Sequence, residues 1–303
     1  IDVITTTKSS GLEARSRPLL AVVGPTASGK PNLALSLAEQ FNGEIICADS
    51  RTLYRGMDIG TAKPTAAEQR RVPHHLLDVR DPGDTLSAAQ FKALALDTIT
   101  EISNRGRLPL LVGGSGLYID AVLYDYQFPG VADAAKRAEL ETLDTPALQA
   151  RAAAADPEAF AAMDQVNRRR LIRLIETAHQ PRAKAAALRS RTLVLGLAPE
   201  PAVLAERINR RIEKMLEEGF LAEVQQIGST YGWESEALSS IGYRAFRGVV
   251  QGDKTVAEGA ADFARGDRQL AKKQLTWFRR NSDIRWLASP AEAAPLVAAF
   301  LAE

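Results

Sequence analysis

Cysteine is all but absent: Cys47 is the only one in 303 residues. One thiol allows neither a disulfide framework within the chain nor a cysteine cluster that could hold zinc, and it suits a reducing cytoplasm. Neither sign of charge is in excess, since Lys and Arg number 38 and Asp and Glu 37. Bulk attraction to a nucleic acid is therefore excluded as a binding principle, while a local basic patch is left open. No apolar run approaches the ~20 residues needed to cross a bilayer, and Ile1 to Arg17 lacks the apolar stretch of a secretory signal. Those residues read as a loose polar tail. Internal repeats and low-complexity tracts are lacking as well. What is there is a chain 46% apolar and 25% charged, enough to bury a real core, whose length favours two domains or one large domain with an insertion.

A further absence sits inside a motif. "GPTASGKP", Gly24 to Pro31, follows the pattern G-x-x-x-x-G-K, in which successive backbone N–H groups and a helix N-terminus cradle phosphates and the Lys adds a full positive charge. Gly24, Pro25, Thr26, Ala27, Ser28, Gly29, Lys30 and Pro31 are accordingly the candidate diphosphate-binding residues; the bland alternative is an ordinary strand-to-helix turn rich in small residues. The pattern calls for a Ser or Thr after the Lys, whose hydroxyl helps to hold Mg2+. Here the position is Pro31, with neither hydroxyl nor N–H. Proline is compatible with a first helical turn, so the cost falls on the ligand. Hydrogen bonds to charged groups contribute roughly 1.5–3 kcal/mol each, so weaker phosphate binding is expected rather than a lost fold.

The surroundings of the motif alternate strands and helices. "RPLLAVVG" reads as a buried strand before the loop, and "KPNLALSLAEQFN" as a helix with Leu33, Leu37 and Phe41 at helical spacing. "GEIICADS" and "RLPLLVGGSGLY" are further apolar strands, the second ending in a glycine turn, and "RTLVLGLAPE" looks like a strand returning to the sheet. Alternation of this kind implies an α/β fold with a parallel sheet whose carboxyl ends gather the loops into one site, which would make Lys30, Asp49 and Ser115 neighbours. Between Asp133 and Arg191 the chain is Ala-rich and strand-poor, as in a small helical insertion. "LAERINRRIEKMLEEGFLAEV" is an amphipathic helix pattern broken at Gly219, and the closing elements read as helical.

Asp49 ends a strand facing the cradle, a position for a general base or a metal-side carboxylate; a turn or N-cap aspartate would sit there too. His74 and His75 invite a metal reading, but without other ligands at suitable spacing a structural role in a loop fits better. Two helices are basic on one face. In "VNRRRLIRLIETA", Leu171, Ile172, Leu174 and Ile175 can face a core while Arg169, Arg170 and Arg173 share another side, and Gln165 to Arg191 holds eight Lys or Arg against one Glu. In "DRQLAKKQLTWFRR", Arg268, Lys272 and Arg279 line one stripe and Leu270, Ala271, Trp277 and Phe278 the other. Such faces are solvated surface in most proteins; two of them on a nearly neutral chain point to a polyanion.

In order along the chain, "GPTASGK", "CADSRTLYRGMDIGTAKP", "VPHHLLD", "GRLPLLVGGSGLY", "NRRRLIRLIE", "RINRRIEKMLEEGF", "SSIGYRAF" and "RQLAKKQLTWFRR" resemble the blocks of the tRNA dimethylallyltransferase (tRNA isopentenyltransferase) family, from about Leu19 to Trp286. The resemblance implies a P-loop nucleotide-kinase-like core, residues 18–123 and 191–303, with a helical insertion at 124–190 that contacts tRNA. It implies transfer of a dimethylallyl group from dimethylallyl diphosphate to the exocyclic nitrogen of the adenine beside the tRNA anticodon. Asp49 would be the base, with Lys30, Arg268, the loop amides and Mg2+ stabilising the departing diphosphate. Asp49, Ser50, Arg51, Thr52, Ser115, Arg169, Arg170, Leu171, Ile172 and Arg173 match the tRNA-contacting positions. Eukaryotic relatives often add a C-terminal zinc finger, and none precedes Glu303, so a bacterial type acting in the cytoplasm is implied. No membrane or protein partner is. The chain departs from the family at Pro31, Asp267 and Ser115 (each for Thr), at Thr52 (for Gln) and at Lys273 (for Arg). A P-loop small-molecule or nucleotide kinase, a non-catalytic RNA-binding relative, and an enzyme prenylating free adenine nucleotides are the alternatives.

Overall fold

A computed structural model describes residues 17–128, 133–178 and 187–303. The tail expected at Ile1 to Arg17 lies, apart from Arg17, outside the described residues, as does 179–186 of the basic stretch.

Strands β1 (Leu19–Val23), β2 (Gly43–Cys47), β3 (His74–His75), β4 (Leu108–Gly113), β5 (Thr192–Leu197) and β6 (Ile284–Leu287) form one six-stranded sheet in the order β3-β2-β4-β1-β5-β6. Every pairing between neighbours is parallel. β1 is central and fully buried, and its period of two divides it between two cores: Leu19, Ala21 and Val23 on one face, Leu20 and Val22 on the other. The Lys30–Gln40 helix packs its Leu33, Ala34 and Leu37 into the second core. Burying a Leu or Val side chain contributes about 1.5–3 kcal/mol, so a polar residue at any of these strand positions would unseat the sheet before it touched the loops.

The two edge strands are departures from the sequence reading. β3 consists of the two histidines: His74 shares a ring N···O contact of 2.8 Å with the Val72 carbonyl, and His75 Nε2 lies 2.6 Å from Glu44 Oε2. Arg105 and Arg107 also pair with Glu44; burial would raise its carboxyl, but the hydrogen bonds and charges of Arg105 and His75 together hold it below the usual carboxylate range. The pair is thus structural. β6 lies in the stretch expected to be helical; the four residues "IRWL" between "NSD" and "ASP" are too few to carry a period.

The break at Gly219 is real: with φ 98° it separates helix Pro201–Glu217 from helix Phe220–Tyr231. From the second of these, the Glu223 carboxylate accepts backbone N–H bonds from Asp58 (2.9 Å), Ile59 (2.8 Å) and Gly60 (2.8 Å) and the Tyr243 hydroxyl. One buried side chain thereby holds the "GMDIGTAKP" loop. The long helix Val256–Phe278 begins with a capping box of Thr255 and Glu258.

The described residues form two compact units, one running to Tyr124 and resuming at Leu188, the other within Asp125–Ala187. The smaller contains helices Ala134–Thr142, Thr145–Ala155, Pro157–Ala161 and Arg168–Thr177, N-capped by Asp133, Asp144, Asp156 and Asn167. Leu140, Leu148, Ala152, Leu171, Ile172 and Ile175 make its core.

Candidate functional site

The loop after β1 is built by backbone geometry. Gly24 has φ 151°, and a Cβ there would lie 2.5 Å from the Leu197 carbonyl oxygen; Gly29, the N-cap of the Lys30–Gln40 helix, has φ 93°. Pro31 occupies the first turn of that helix, where its missing N–H breaks no helical bond. Lys30 Nζ donates to the Pro25 carbonyl at 2.6 Å and lies 3.5 Å from Ser28 Oγ. Burial pushes its pKa down to about 8; nearby Asp49 pulls the other way and Arg211 lowers it further. Arg207 reaches the loop from outside, donating to the carbonyls of Ala27 (3.5 Å) and Ser28 (3.2 Å). Gln274 accepts from the Thr26 N–H at 2.8 Å and donates to the Gly114 carbonyl at 2.9 Å, tying two glycine turns to the Val256–Phe278 helix.

Two cavities meet at Asp49. The first, about 360 Å³, is lined by Thr26 to Pro31, Asp49, Thr52, Arg207 and Arg211 among others. The second, about 480 Å³, is lined by Asp49, Ser50, Arg51, Ser115, Arg211, Ser240, Lys273 and Trp277 among others. Thr26, Asp49, Arg211 and Gln274 belong to both, so Asp49 stands where the chamber lined by the glycine loop meets a second, polar one. Asp49 Oδ1 accepts the Arg51 N–H at 2.8 Å. Three polar atoms on these walls are buried without a hydrogen-bond partner: Thr52 Oγ1, Arg211 Nε and Ser240 Oγ. Buried polar groups are satisfied as a rule, so orphans gathered around two cavities mark a place for a ligand. A larger cavity, about 780 Å³, flanks the outer side of the loop but has neither Lys30 nor Asp49 on its walls; the chemistry is not there.

Of the residues singled out from sequence, Thr26, Ala27, Ser28, Gly29, Lys30, Pro31, Asp49 and Thr52 line the first chamber, and Ser50, Arg51 and Ser115 the second. Gly24 and Pro25 shape the loop without lining it. The Ser115 Oγ accepts the Ser50 N–H at 3.0 Å. Three assignments need correction. Arg268 is exposed and lines neither chamber; one residue is a 100° turn of the helix, and it is Asp267 and Ala271 that face inward. Leu171 and Ile172, at 0% and 3% exposure, are core side chains of the smaller unit and have no surface to offer RNA. Arg169 and Arg170 are exposed there, while Arg173 pairs with the buried Glu176 at 3.5 Å, as Arg137 does at 3.2 Å.

Besides Lys30, the cations that line the first chamber are Arg207 and Arg211, one turn apart in "RINRR", where in sequence they look like part of an amphipathic pattern. Their spacing of four was the available signal. Arg211 also pairs with Asp267, which burial holds above the ordinary carboxylate range against the pull of Arg211.

Mg2+ finds no ligand at the expected place. Pro31 has no hydroxyl, and among the described residues no group of three or more His, Cys, Asp or Glu could hold a metal ion. The described residues do not form a metal site of their own.

Among the described residues, no helix is long and apolar enough to cross a membrane. The IPP transferase family profile matches residues 52–281. The chain is 43% identical over 292 residues to a tRNA dimethylallyltransferase of Roseiflexus sp., covering 92% of this chain and 95% of that protein. It is 40% identical over 288 residues to one of Bacillus velezensis, covering 91% and 92%. Its structure resembles the full-length tRNA isopentenylpyrophosphate transferase from Bacillus halodurans with a TM-score of 0.72 at 39% identity, over 94% of this chain and 97% of that one. This chain belongs to the IPP transferase family.

Proposed function

We propose that the chain transfers a dimethylallyl group from dimethylallyl diphosphate to the exocyclic N6 of the adenosine adjacent to the tRNA anticodon, releasing diphosphate. The observation that carries this reading is the position of Asp49, shared by a chamber that holds a phosphate loop and by a second chamber on its other side. A donor and an acceptor entering from opposite ends would meet at one carboxylate.

The chemistry follows from what each group can do. The adenine amino group is a poor nucleophile because its lone pair is delocalised into the ring, so a carboxylate must take its proton as it attacks. Asp49 serves as that base. The N6–C bond forms as the allylic C–O bond breaks, the electron pair leaves with the diphosphate, and the N6 proton goes to the carboxylate. Negative charge gathers on the leaving group, where loop amides, Lys30 and Arg211 stabilise it; the orphaned Arg211 Nε has its partner there. Any Mg2+ enters as a counter-ion of the diphosphate rather than as a ligand of the chain. The adenine must leave its stack to reach Asp49, so it is extruded into the second chamber, where Ser50, Arg51 and Ser115 contact the RNA. Arg169, Arg170 and Arg173 of the smaller unit bind phosphates of the anticodon stem-loop. A buried Cys47 whose thiol is pushed up to about 12 by burial is inert, in keeping with a cytoplasmic setting.

Incubation with unmodified tRNA and labelled dimethylallyl diphosphate tests the proposal. Label on the tRNA supports it. No label from this chain where a Pro31→Thr variant labels abundantly would deny competence to the present sequence, and no label from either, with ATP turnover in the absence of tRNA, would replace the proposal with a kinase.

A further inference from the structure

The second chamber carries an aromatic side chain that the reaction as written does not use. Trp277 lines it beside Ser115, Lys273 and Gln274 and is nevertheless 38% exposed, whereas its neighbour Phe278 is buried in the core at 1%. The ring is held in place deliberately. Its Nε1–H donates to Asp120 Oδ2 at 2.8 Å, and the Gly116 backbone packs so closely against it that a Cβ at position 116 would overlap the indole. The anchoring carboxylate is itself uncomfortable: burial raises the Asp120 pKa, with the indole bond opposing, and its Oδ1 is buried without a partner. A half-buried carboxylate with one orphaned oxygen, orienting a ring left partly in solvent, is a poor way to stabilise a core. It is a good way to present a flat surface. Besides Arg51 and Arg211, the cations Lys273, one turn earlier on the same helix, and Arg244 line the same chamber.

An oriented, exposed aromatic ring among cations is the constellation that binds an unstacked nucleobase and its phosphates. We propose that Trp277 is the stacking platform for the nucleobase next to the acceptor adenine, with Lys273 and Arg244 against the adjoining phosphates. The inference rests on the tRNA reading above. Extruding the adenine strips its neighbour of one stacking partner, and the indole replaces it, so the platform lowers the KM for RNA without touching the donor. Trp277 is therefore a positioning residue.

The chain has three tryptophans, so the double substitution Trp233→Phe, Trp286→Phe leaves Trp277 as the sole indole reporter. Titrating this variant with an unmodified anticodon stem-loop RNA should quench its fluorescence with the midpoint found by filter binding. In the parent chain, Trp277→Leu should raise the KM for tRNA by about 10- to 100-fold, with the affinity for dimethylallyl diphosphate unchanged; the Leu and Phe variants lose the Asp120 bond alike, so any fall in thermal midpoint is common to both and the difference between them reads the ring. Trp277→Phe, which keeps a ring, should recover most of the loss. Saturable RNA binding with no quench overturns the platform and leaves the tRNA reading standing, as does equal behaviour of the Leu and Phe variants. Should Trp277→Leu fail to fold, the quench alone decides. RNA that is neither bound nor prenylated by the parent chain overturns the tRNA reading and the platform with it.

Discussion

Asp49 and Lys30 are near enough to sense each other, and that coupling makes single-residue behaviour predictable. Removing a general base costs typically 10²–10⁴-fold, so Asp49→Asn should lower kcat by about that factor while pyrophosphate affinity, measured by calorimetry, holds or rises as a negative charge leaves the chamber. Lys30 titrates near pH 8 because burial disfavours its charged form. Pyrophosphate binds the ammonium, so affinity should be level near neutrality and fall above pH 8, by up to about tenfold per pH unit; Lys30→Met should flatten the profile. For folding the sign is opposite. The folded pKa lies below the ordinary lysine value of 10.5, so the folded state carries a penalty that is full below pH 8 and relieved as pH rises to 10.5. Legibility at this scale was uneven. Lys30 and Asp49 could be read because a glycine pattern and a strand end announce them, whereas Arg207, Arg211, Gln274 and Glu223 are dispersed along helices whose charged residues look alike in sequence. Arg268, implied by the family resemblance, lies midway along the Val256–Phe278 helix, where packing sets the helical phase and one residue, about 100°, separates the chamber wall from solvent.

The elements that bear the site are strands and helices whose ends, rather than interiors, do the work. The loop at Gly56 to Pro64 has no sheet or helix of its own and owes its shape to Glu223, a residue 163 positions or more away. Thr61 and Ala62 of this loop line the first chamber. Glu223→Ala would leave three backbone donors and the Tyr243 hydroxyl without their acceptor, at about 1–3 kcal/mol for each buried orphan. Amide exchange at residues 58–60 should accelerate by more than tenfold, with a weakened KM for both substrates, as read by hydrogen-exchange mass spectrometry and steady-state kinetics. β1, β2, β4 and β5 could be read from sequence since each is a buried run of five or six residues; β3 and β6 are edge strands of two and four, defined by the neighbour they pair with and not by any periodicity of their own.

For the whole molecule the question is how a chain of net charge +1 would hold a polyanion. Its basic residues are concentrated, and the exposed Arg169 and Arg170 belong to the smaller unit. Affinity for tRNA should fall steeply with salt, linearly in log–log form with a slope of about −0.7 to −0.9 per phosphate neutralised. Arg169→Ser with Arg170→Ser should reduce that slope by about two contacts, whereas Asp49→Asn should not alter it; filter binding between low and physiological salt measures both.

Local features of the sequence determined the parallel sheet, the phosphate loop with its proline, and the family, because each is written in contiguous residues: apolar runs, glycines at set spacing, blocks in order. Only the tertiary structure decided which cations surround the chamber beside the glycine loop, which helix faces are core, and that Asp49 stands between two chambers. Those outcomes depend on helix phase and on contacts between residues far apart in the chain, and packing, not local sequence, sets both.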